Sequence, residues 1–390
     1  MSICVHLWLP GITVTGRDRS AAACWSPAGL CTGGFWALDT GDDHANSARV
    51  DTDTDQFTGN RRAAREGASI SSSRICYLTS CLLMGWISLA WNGTALGALS
   101  VPGGGNWYRG NTHTHARFSD SNDVNDVPAI AGWYKAAGYD FLTLSEHNNN
   151  LAAKKVFCHD ELTTPTFLMM RGLELSKSRH TLAFGINTFI MGEDSLQDAV
   201  ARTLDAGGVP ILNHPQAPIV SAASFIATKG LNHFEVFNGG RPQHTAASEK
   251  LWDEVLSAVN GRTVYAVAAD DNHYKQSNVG RGWIMVKAPA LTAEAILDNV
   301  RSGNFYATTG IILADYQVNS ASNRIDIGIS SQNGDSIAFI GKSGVVLSTV
   351  HARNGTYQMK SGDYYVRAKI TNAEGKAAWT QPVFNREASN

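Results

Sequence analysis

Short apolar runs recur through the middle of the chain, and each one ends directly in residues with polar side chains. The runs and their polar successors are residues 140–145 before Glu146 and His147, residues 166–173 before Glu174, residues 208–212 before Asn213 and His214, and residues 263–268 before Asp270, Asp271 and His273. An apolar run of this length, bounded by turn residues, is typical of a strand that is buried on both faces. The order never reverses, so we expect the polar residues to meet at the carboxyl ends of neighbouring strands.

Segments with helical spacing separate these runs. Residues 123–137 carry apolar side chains three and four positions apart, and the pattern stops at Gly138. The same spacing recurs in residues 195–207, 221–229, 245–260 and 292–301. Strand and helix thus alternate about seven times, which predicts an α/β fold with a parallel sheet that is closed or nearly closed into a barrel.

From residue 311 the pattern changes to short strand-like runs without helices between them. These runs are residues 324–329, 336–340, 345–350 and 364–370, separated by Asn-Gly, Gly-Asp and Ser-Gly turns. This spacing predicts a small antiparallel β-sandwich over residues 311–390, after an α/β barrel over residues 105–310. The sandwich segment holds no cluster of metal-capable residues, so we expect it to pack against the barrel or to contact a partner.

The chain before residue 99 has a different texture. Residues 1–73 are rich in Gly, Ala, Ser, Asp and Arg without sustained periodicity, which predicts a disordered segment or an over-extended reading of the gene. Residues 74–98 combine the basic Arg74, an apolar stretch and the small residues Ala95 and Gly97, as a secretory signal peptide does. A membrane anchor and an ordinary buried segment are the alternatives.

An export signal in this segment would place the protein in the periplasm or outside the cell, with no stable membrane span after processing. It would also require translation to begin nearer Arg74 than Met1. Cys158 is the only one of the 6 cysteines that follows the segment, so a processed chain would have no intrachain disulfide.

The charge of the chain indicates which kind of molecule it binds. The 32 Lys and Arg residues nearly balance the 34 Asp and Glu residues, and no run rich in Lys or Arg occurs. Proteins that bind nucleic acids use clustered positive charge, so a nucleic acid is not the expected partner. We expect a small-molecule substrate instead, and the sequence predicts no oligomeric state.

Residues of the types that can bind metal ions are concentrated at the ends of the predicted strands. His113 and His115 lie one residue apart and therefore point to the same side of an extended backbone. The full set of candidate metal ligands is His113, His115, Asp120, His147, Glu174, His180, His214, Asp271 and His273. Asp270 could compete with Asp271, but the Asp-x-His spacing favours Asp271. No cysteine belongs to the set, which argues against a purely structural zinc site.

This set of nitrogen and oxygen donors is larger than one ion needs. We therefore expect two or three divalent metal ions (Zn, Mn or Fe), with Glu174 as a bridging carboxylate. Such a cluster suits hydrolysis of a phosphate mono- or diester, because one ion activates water and another neutralises the phosphoryl oxygens. In this interpretation Glu174, His214 and Asp271 are the catalytic part of the cluster and hold the nucleophilic hydroxide. Hydrolysis of another ester or an amide, and a non-catalytic binding protein that retains metal, are the alternatives.

These motifs, in this order, resemble the PHP (polymerase and histidinol phosphatase) family of metal-dependent phosphoesterases. The matching pieces lie between about residues 107 and 310 and are residues 111–115, Ser119 and Asp120, residues 138–148, residues 171–174, His180, residues 213–215 and residues 271–273. The resemblance implies a distorted (β/α)7 barrel, followed by a C-terminal sheet like that of exported members. It implies one ion on His113, His115, Glu174 and Asp271, a second on Glu174, His180 and His214, and a third on Asp120, His147 and His273.

Two arginines are candidates for binding the phosphate group of a substrate. Arg117 lies beside the histidine pair, and Arg241 follows the apolar run at residues 233–237. A guanidinium group binds phosphate through paired hydrogen bonds. A salt bridge at the surface is the alternative role for each residue.

Overall fold

The computed structural model describes residues 105–116, 126–149, 157–259, 261–273, 275–319, 322–329 and 336–385. The predicted segments 1–73 and 74–98 lie outside these ranges, as do Arg117 and Asp120. Within the described ranges, no helix is long and apolar enough to cross a membrane. Cys158 is disulfide-bonded.

Strands form at the predicted apolar runs, and further strands lie between and beyond them. They are β1 (Asn106–Asn111), β2 (Thr114–His115), β3 (Phe141–Thr143), β4 (Leu168–Met170), β5 (Gly172–Leu175), β6 (Thr181–Phe184), β7 (Val209–Leu212), β8 (His233–Asn238), β9 (Tyr265–Ala269), β10 (Asn272–His273), β11 (Trp283–Ala288) and β12 (Phe305–Thr308). Every residue of β3, β7 and β9 is buried, as a strand covered on both faces requires. The run at residues 166–173 forms two strands, β4 and β5, separated by Arg171.

Helices lie between these strands at the predicted positions. They are α1 (Val127–Ala136), α2 (Leu196–Asp205), α3 (Ala222–Ala227), α4 (Thr245–Ala258) and α5 (Ala293–Arg301). The Ser195 hydroxyl accepts a hydrogen bond from the backbone N–H of Asp198 and so caps α2, and Thr292 caps α5 through Ala295 in the same way. Gly207 follows α2 with a positive φ of 79°, which a residue without a Cβ adopts without strain. The two caps thus mark where α2 and α5 begin, and Gly207 marks where α2 ends before the chain returns to a strand.

The strands pair in a mixed pattern. Parallel pairs join β1 to β3 and β3 to β4, and also β7 to β8 and β8 to β9. In contrast, β6 is antiparallel to β5 and β7, and β11 is antiparallel to β1 and β12. The direction of β6 follows from its connection to β5, because residues 176–180 are too few for the crossover that a parallel neighbour needs. The predicted parallel sheet is therefore found only in part, because antiparallel pairs lie beside the parallel ones.

The strands of the α/β part belong mainly to two sheets. One contains the order β4-β3-β1-β11-β12, and the other has the order β5-β6-β7-β8-β9. An isolated parallel bridge between His147 and Glu174 connects the segment after β3 to β5. Among the described residues, hydrogen bonding does not close these sheets into one barrel. The fold is thus a mixed α/β arrangement of several sheets.

The C-terminal part consists of antiparallel strands, as the turn spacing predicts. They are β13 (Leu313–Asn319), β14 (Arg324–Ile329), β15 (Ser336–Ile340), β16 (Val346–Val350), β17 (Asn354–Gln358), β18 (Tyr365–Thr371), β19 (Ala377–Thr380) and β20 (Val383–Phe384). β13, β14 and β17 form one sheet, while β19, β18, β15 and β16 continue the sheet that contains β12. Side chains from both sheets, including Tyr316, Ile327 and Phe339, share one hydrophobic core.

A buried ion pair attaches α4 to the C-terminal strands. Arg367 in β18 is 1% exposed and donates to the carboxylate of Asp253 in α4, from Nε at 2.8 Å and from Nη2 at 2.7 Å. The Tyr365 hydroxyl donates to the same carboxylate at 2.9 Å. This contact and the pairing of β12 with β19 join the two parts of the chain across residue 310, where the sequence predicts a domain boundary.

Arg367→Ala is expected to lower the free energy of unfolding by about 3 kcal/mol, because the Asp253 carboxylate would stay buried without its counter-charge. Urea unfolding followed by circular dichroism measures the change. Arg324→Ala is the matched control, since Arg324 contacts Asp326 at 2.8 Å but is 51% exposed. An exposed pair contributes about 1 kcal/mol or less. Equal losses in the two variants would contradict a structural role for the buried pair.

Candidate metal centre

The backbone brings two ligand-bearing segments side by side. The Asn111 side-chain oxygen accepts a hydrogen bond from the backbone N–H of His113 at 2.9 Å and fixes the turn after β1. β2 then pairs in parallel with β10, so that His115 lies opposite His273. Their rings stack with centroids 4.5 Å apart. The His-x-His and Asp-x-His motifs, which are distant in the sequence, thus present their side chains to one region.

Two candidate ligands have strained backbones. His214 and Asp271 have positive φ angles of 24° and 46°, a region that costs a residue with a side chain about 1–3 kcal/mol. The backbone N–H of Asp271 donates to the carbonyl of His113 at 3.0 Å, and that of His214 donates to Glu235 at 2.6 Å. These hydrogen bonds hold both residues in the conformation that turns their side chains into the cluster. Strain of this kind is typical of functional sites.

The Glu174 carboxylate is the centre of the cluster. It is 1% exposed, and imidazole nitrogens face both of its oxygens. The distances to Oε1 are 3.3 Å from His113 Nε2, 3.1 Å from His180 Nδ1 and 3.4 Å from His214 Nε2, and those to Oε2 are 3.3 Å from His115 Nε2 and 3.0 Å from His147 Nδ1. A carboxylate with nitrogen donors grouped around each oxygen has the arrangement needed to bridge two cations.

Asp271 forms a second centre beside Glu174. Its Oδ1 lies 3.2 Å from His113 Nε2, 3.6 Å from His115 Nε2 and 3.3 Å from His273 Nε2. Four groups of residues have donor atoms within 4.8 Å of one another and could each hold an ion: His113, His214 and Asp271; His113, His115 and Glu174; His115, Asp271 and His273; and His147, Glu174 and His180. The structure therefore brings together every candidate ligand that it describes. It places His147 with His180, whereas the family resemblance groups His147 with His273.

No family model and no curated protein matches the chain. The chain is similar to a solved structure of a two-domain protein from Bacteroides vulgatus that contains a predicted PHP-like metal-dependent phosphoesterase. The two share 15% sequence identity with a TM-score of 0.43, over 76% of this chain and 92% of that chain. A similarity this distant assigns no family, so the chemistry of the site has to follow from its own residues.

The charges of the site depend on burial and on close contacts. Burial lowers the pKa of His113, but the carboxylates around it, chiefly that of Asp271, outweigh burial and raise the pKa well above its usual value. For His115 burial dominates and lowers the pKa to about 4. Burial by itself would raise the pKa of Glu174, but the neighbouring histidines hold it well below its usual value. The site therefore presents an anionic carboxylate and a neutral His115 imidazole near pH 7.

This donor set fits divalent cations. The Nε2 atoms of His113 and His115 lie only 3.0 Å apart, a distance at which two lone pairs repel unless a proton or a cation is shared. Imidazole nitrogens and carboxylate oxygens are good ligands for zinc, manganese and iron. The residues present therefore suit metal ions without selecting one of the three.

Asp270 and Asp271 have different environments although they are adjacent. The Asp270 carboxylate accepts hydrogen bonds from the backbone N–H groups of Gly280, Arg281 and Gly282, at 3.0, 2.7 and 2.8 Å, and from the Tyr134 hydroxyl at 2.9 Å. These contacts occupy its oxygens with loop and helix donors. Asp270 thus stabilises the loop before β11, while Asp271 faces the histidines.

Arg241 lies at the edge of the cluster. Its Nη1 is 3.8 Å from Asp271 Oδ2, and its side chain is 40% exposed. Gly240 precedes it, and a Cβ at Gly240 would lie 3.1 Å from the same Asp271 oxygen. The absence of a side chain at Gly240 leaves space beside Asp271. Arg241 is therefore placed where it could contact both the cluster and a ligand.

Sequence reasoning gave no role to Glu235 and did not predict the contact of Asn213 with Glu174, although both residues are buried beside the candidate ligands. Glu235 in β8 is 1% exposed, and its Oε1 is 2.7 Å from His113 Nδ1. The Asn213 side-chain amide donates to Glu174 Oε1 at 2.9 Å. The available signal was an acidic residue in the middle of the apolar run at residues 233–237, since a charge is rarely buried there without a partner.

Proposed function

We propose that this protein is a metal-dependent hydrolase of phosphate esters, of the PHP type that its motifs resemble. The observation that supports it most directly is the buried Glu174 carboxylate, with imidazole nitrogens within 3.4 Å of each oxygen. Two or three divalent ions (zinc, manganese or iron) would be held by His113, His115, Asp120, His147, Glu174, His180, His214, Asp271 and His273. The α/β part would then be the distorted (β/α)7 barrel of that family.

Divalent ions bound here would lower the pKa of a coordinated water and offset the negative charge of a phosphoryl group. The chain supplies the rest of the chemistry. Glu174, His214 and Asp271 form the core of the cluster, and their burial keeps bulk water from screening their charges. Arg241 would bind the non-bridging phosphoryl oxygens through its guanidinium group, and Arg117 is a second candidate for this role.

A substrate screen of the full-length protein loaded with zinc, manganese or iron tests this proposal. Phosphomonoesters and phosphodiesters form one panel, and carboxylic esters and amides form the other. We expect turnover in the phosphate panel and not in the second panel. If a metal-loaded protein turned over neither panel, a binding protein that retains metal would be favoured. If it turned over the second panel alone, the substrate class would be another ester or an amide and not a phosphate ester.

We also propose that the protein acts on a small-molecule phosphate ester and does so outside the cytoplasm. The balanced charge of the chain supports a small-molecule substrate, since it offers no basic run for a nucleic acid. The signal-like sequence of residues 74–98 supports export. Sequencing the N-terminus of protein purified from its native host tests export, and a mature chain that still contains residues 74–98 would contradict it.

Arg241→Ala is expected to lower kcat/KM for the phosphate ester by about 10- to 100-fold, the value of one hydrogen bond to a charged group. Metal content should stay unchanged, because Arg241 approaches only the outer oxygen of Asp271. Steady-state kinetics and elemental analysis on the same sample measure both quantities. Arg202→Ala is the control, since Arg202 is exposed and pairs with Asp198 on α2. An unaltered rate in the Arg241 variant would exclude a role in substrate binding.

A further inference from the structure

Three hydrogen-bond donors converge on the buried Glu235 carboxylate. Its Oε1 lies 2.7 Å from Nδ1 of His113, and its Oε2 accepts from the backbone N–H of His214 at 2.6 Å. The Asn238 side-chain amide also donates to Oε2, at 2.8 Å. Glu235 thus contacts one candidate ligand through its side chain and another through its backbone. It does not belong to any of the groups that could hold an ion.

The contact with His113 determines which ring nitrogen faces the cluster. A carboxylate only accepts hydrogen bonds, so Nδ1 of His113 carries a proton toward Glu235. Nε2 is the nitrogen that lies 3.3 Å from Glu174 Oε1 and 3.2 Å from Asp271 Oδ1. The neutral imidazole with this tautomer therefore offers its lone pair to a cation between those carboxylates.

The contact with His214 acts on the backbone. His214 has a positive φ of 24°, which is unfavourable for a residue with a side chain. Its N–H would be buried without an acceptor if Glu235 were absent, and an unsatisfied buried N–H costs about 1–3 kcal/mol. Glu235 therefore also favours the strained turn that directs the His214 imidazole toward Glu174.

We propose that Glu235 is a positioning residue of the metal centre, which fixes the tautomer of His113 and the backbone of His214 at the same time. This inference rests on the proposed metal centre but not on the identity of the substrate. Glutamine cannot replace glutamate here, because its NH₂ group would face a donor in either orientation of the amide. If the NH₂ group took the place of Oε1, it would face Nδ1 of His113. If it took the place of Oε2, it would face the backbone N–H of His214 and the side-chain amide of Asn238.

Zinc titration of the full-length protein against a chromophoric competitor tests the proposal. Glu235→Gln is expected to bind zinc about 10- to 100-fold more weakly than the unaltered chain. Asp253→Asn is the matched control, because Asp253 is also a buried carboxylate that receives three donors, two from Arg367 and one from Tyr365. The control should lose stability and keep its zinc affinity. Equal zinc affinity of Glu235→Gln and the unaltered chain overturns the proposal.

A spectroscopic measurement on the unaltered chain does not require any variant to fold. Nitrogen-15 imidazole spectra of the zinc-loaded protein should show His113 bound through Nε2, with a slowly exchanging Nδ1 proton at low field. Glu235→Asp, which keeps an acceptor-only side chain, should retain this proton, whereas Glu235→Gln should lose it or shift it upfield. His113 bound through Nδ1 overturns the proposal.

The same titration separates this inference from the function proposed above. An unaltered chain that binds no zinc, manganese or iron would overturn both. A chain that binds zinc with the expected dependence on Glu235, but hydrolyses no phosphate ester, would overturn the function and support the positioning role. Normal turnover with zinc affinity independent of Glu235 would do the opposite.

Discussion

Glu174→Gln is expected to lower kcat/KM for the phosphate ester by about 10³-fold or more, a loss at the upper end for removal of one electrostatic group. The carboxylate oxygens lie within 3.4 Å of imidazole nitrogens from five histidines, so the same side chain would contribute to more than one ion. An amide keeps the shape but carries no charge, and its NH₂ group cannot coordinate a cation. The substitution therefore removes a group shared by several ions, whereas loss of another ligand would affect one ion.

Kinetics and elemental analysis of the purified variant measure the two consequences together. The variant should retain less metal per chain, and the remaining activity should not recover when excess metal is added. Asp253→Asn again serves as the control, because it removes a buried carboxylate whose partners are Tyr365 and Arg367. A Glu174→Gln protein with full metal content and an unaltered rate would rule out Glu174 as the bridging group.

The location of the cluster could be predicted from the sequence because it depends on local patterns. Apolar runs precede His147, Glu174, His214, Asp271 and His273, and the carboxyl ends of buried strands meet at one side of a sheet. This explains why His147, Glu174 and Asp271 meet although they are far apart in the chain. The choice of Asp271 over Asp270 also depended on local spacing, and the two carboxylates do face different partners. Metal binding by these residues remains a prediction.

Residues that support the ligands could not be predicted in the same way. The role of Glu235 depends on the positions of His113 and His214, which follow other strands. The grouping of His147 with His180 is equally non-local, because it depends on how the segment after β3 meets β5 through one isolated bridge. The sequence shows which types of side chain are present, but not which of them contact one another.

Strand direction was the weak point of the fold prediction. The run at residues 166–173 looks like one strand, yet it breaks at Arg171 into β4 and β5, and these belong to different sheets. The short connection after β5 then forces β6 to run antiparallel, which periodicity does not reveal. The described residues after 311 form strands without α-helices between them, and the pairing of β12 with β19 carries one sheet across this point.

Removal of the metal ions is expected to abolish hydrolysis and to lower the midpoint of thermal unfolding by about 5 °C. A ligand present at a thousand times its Kd stabilises the folded state by about 4 kcal/mol, and each kcal/mol changes the midpoint by about 1–2 °C in a chain of this size. The physical cause is that the candidate ligands come from separate strands, so the ions bind the folded chain and not the unfolded one. His115, for example, lies opposite His273 only because β2 pairs with β10.

Dialysis against dipicolinic acid, followed by scanning calorimetry and elemental analysis, measures this effect. Return of zinc or manganese should restore both the activity and the unfolding midpoint, since the ligands sit on strands that hold their places through backbone pairing. Glu174→Gln provides the control, because a chain that cannot bridge the ions should show little difference between chelated and metal-loaded samples. The opposite outcome is a metal-free unaltered chain that unfolds at the same temperature and hydrolyses the ester at the same rate. Such a chain would mean that the cluster of histidines and carboxylates is stable without cations. A metal-dependent reaction would then be excluded.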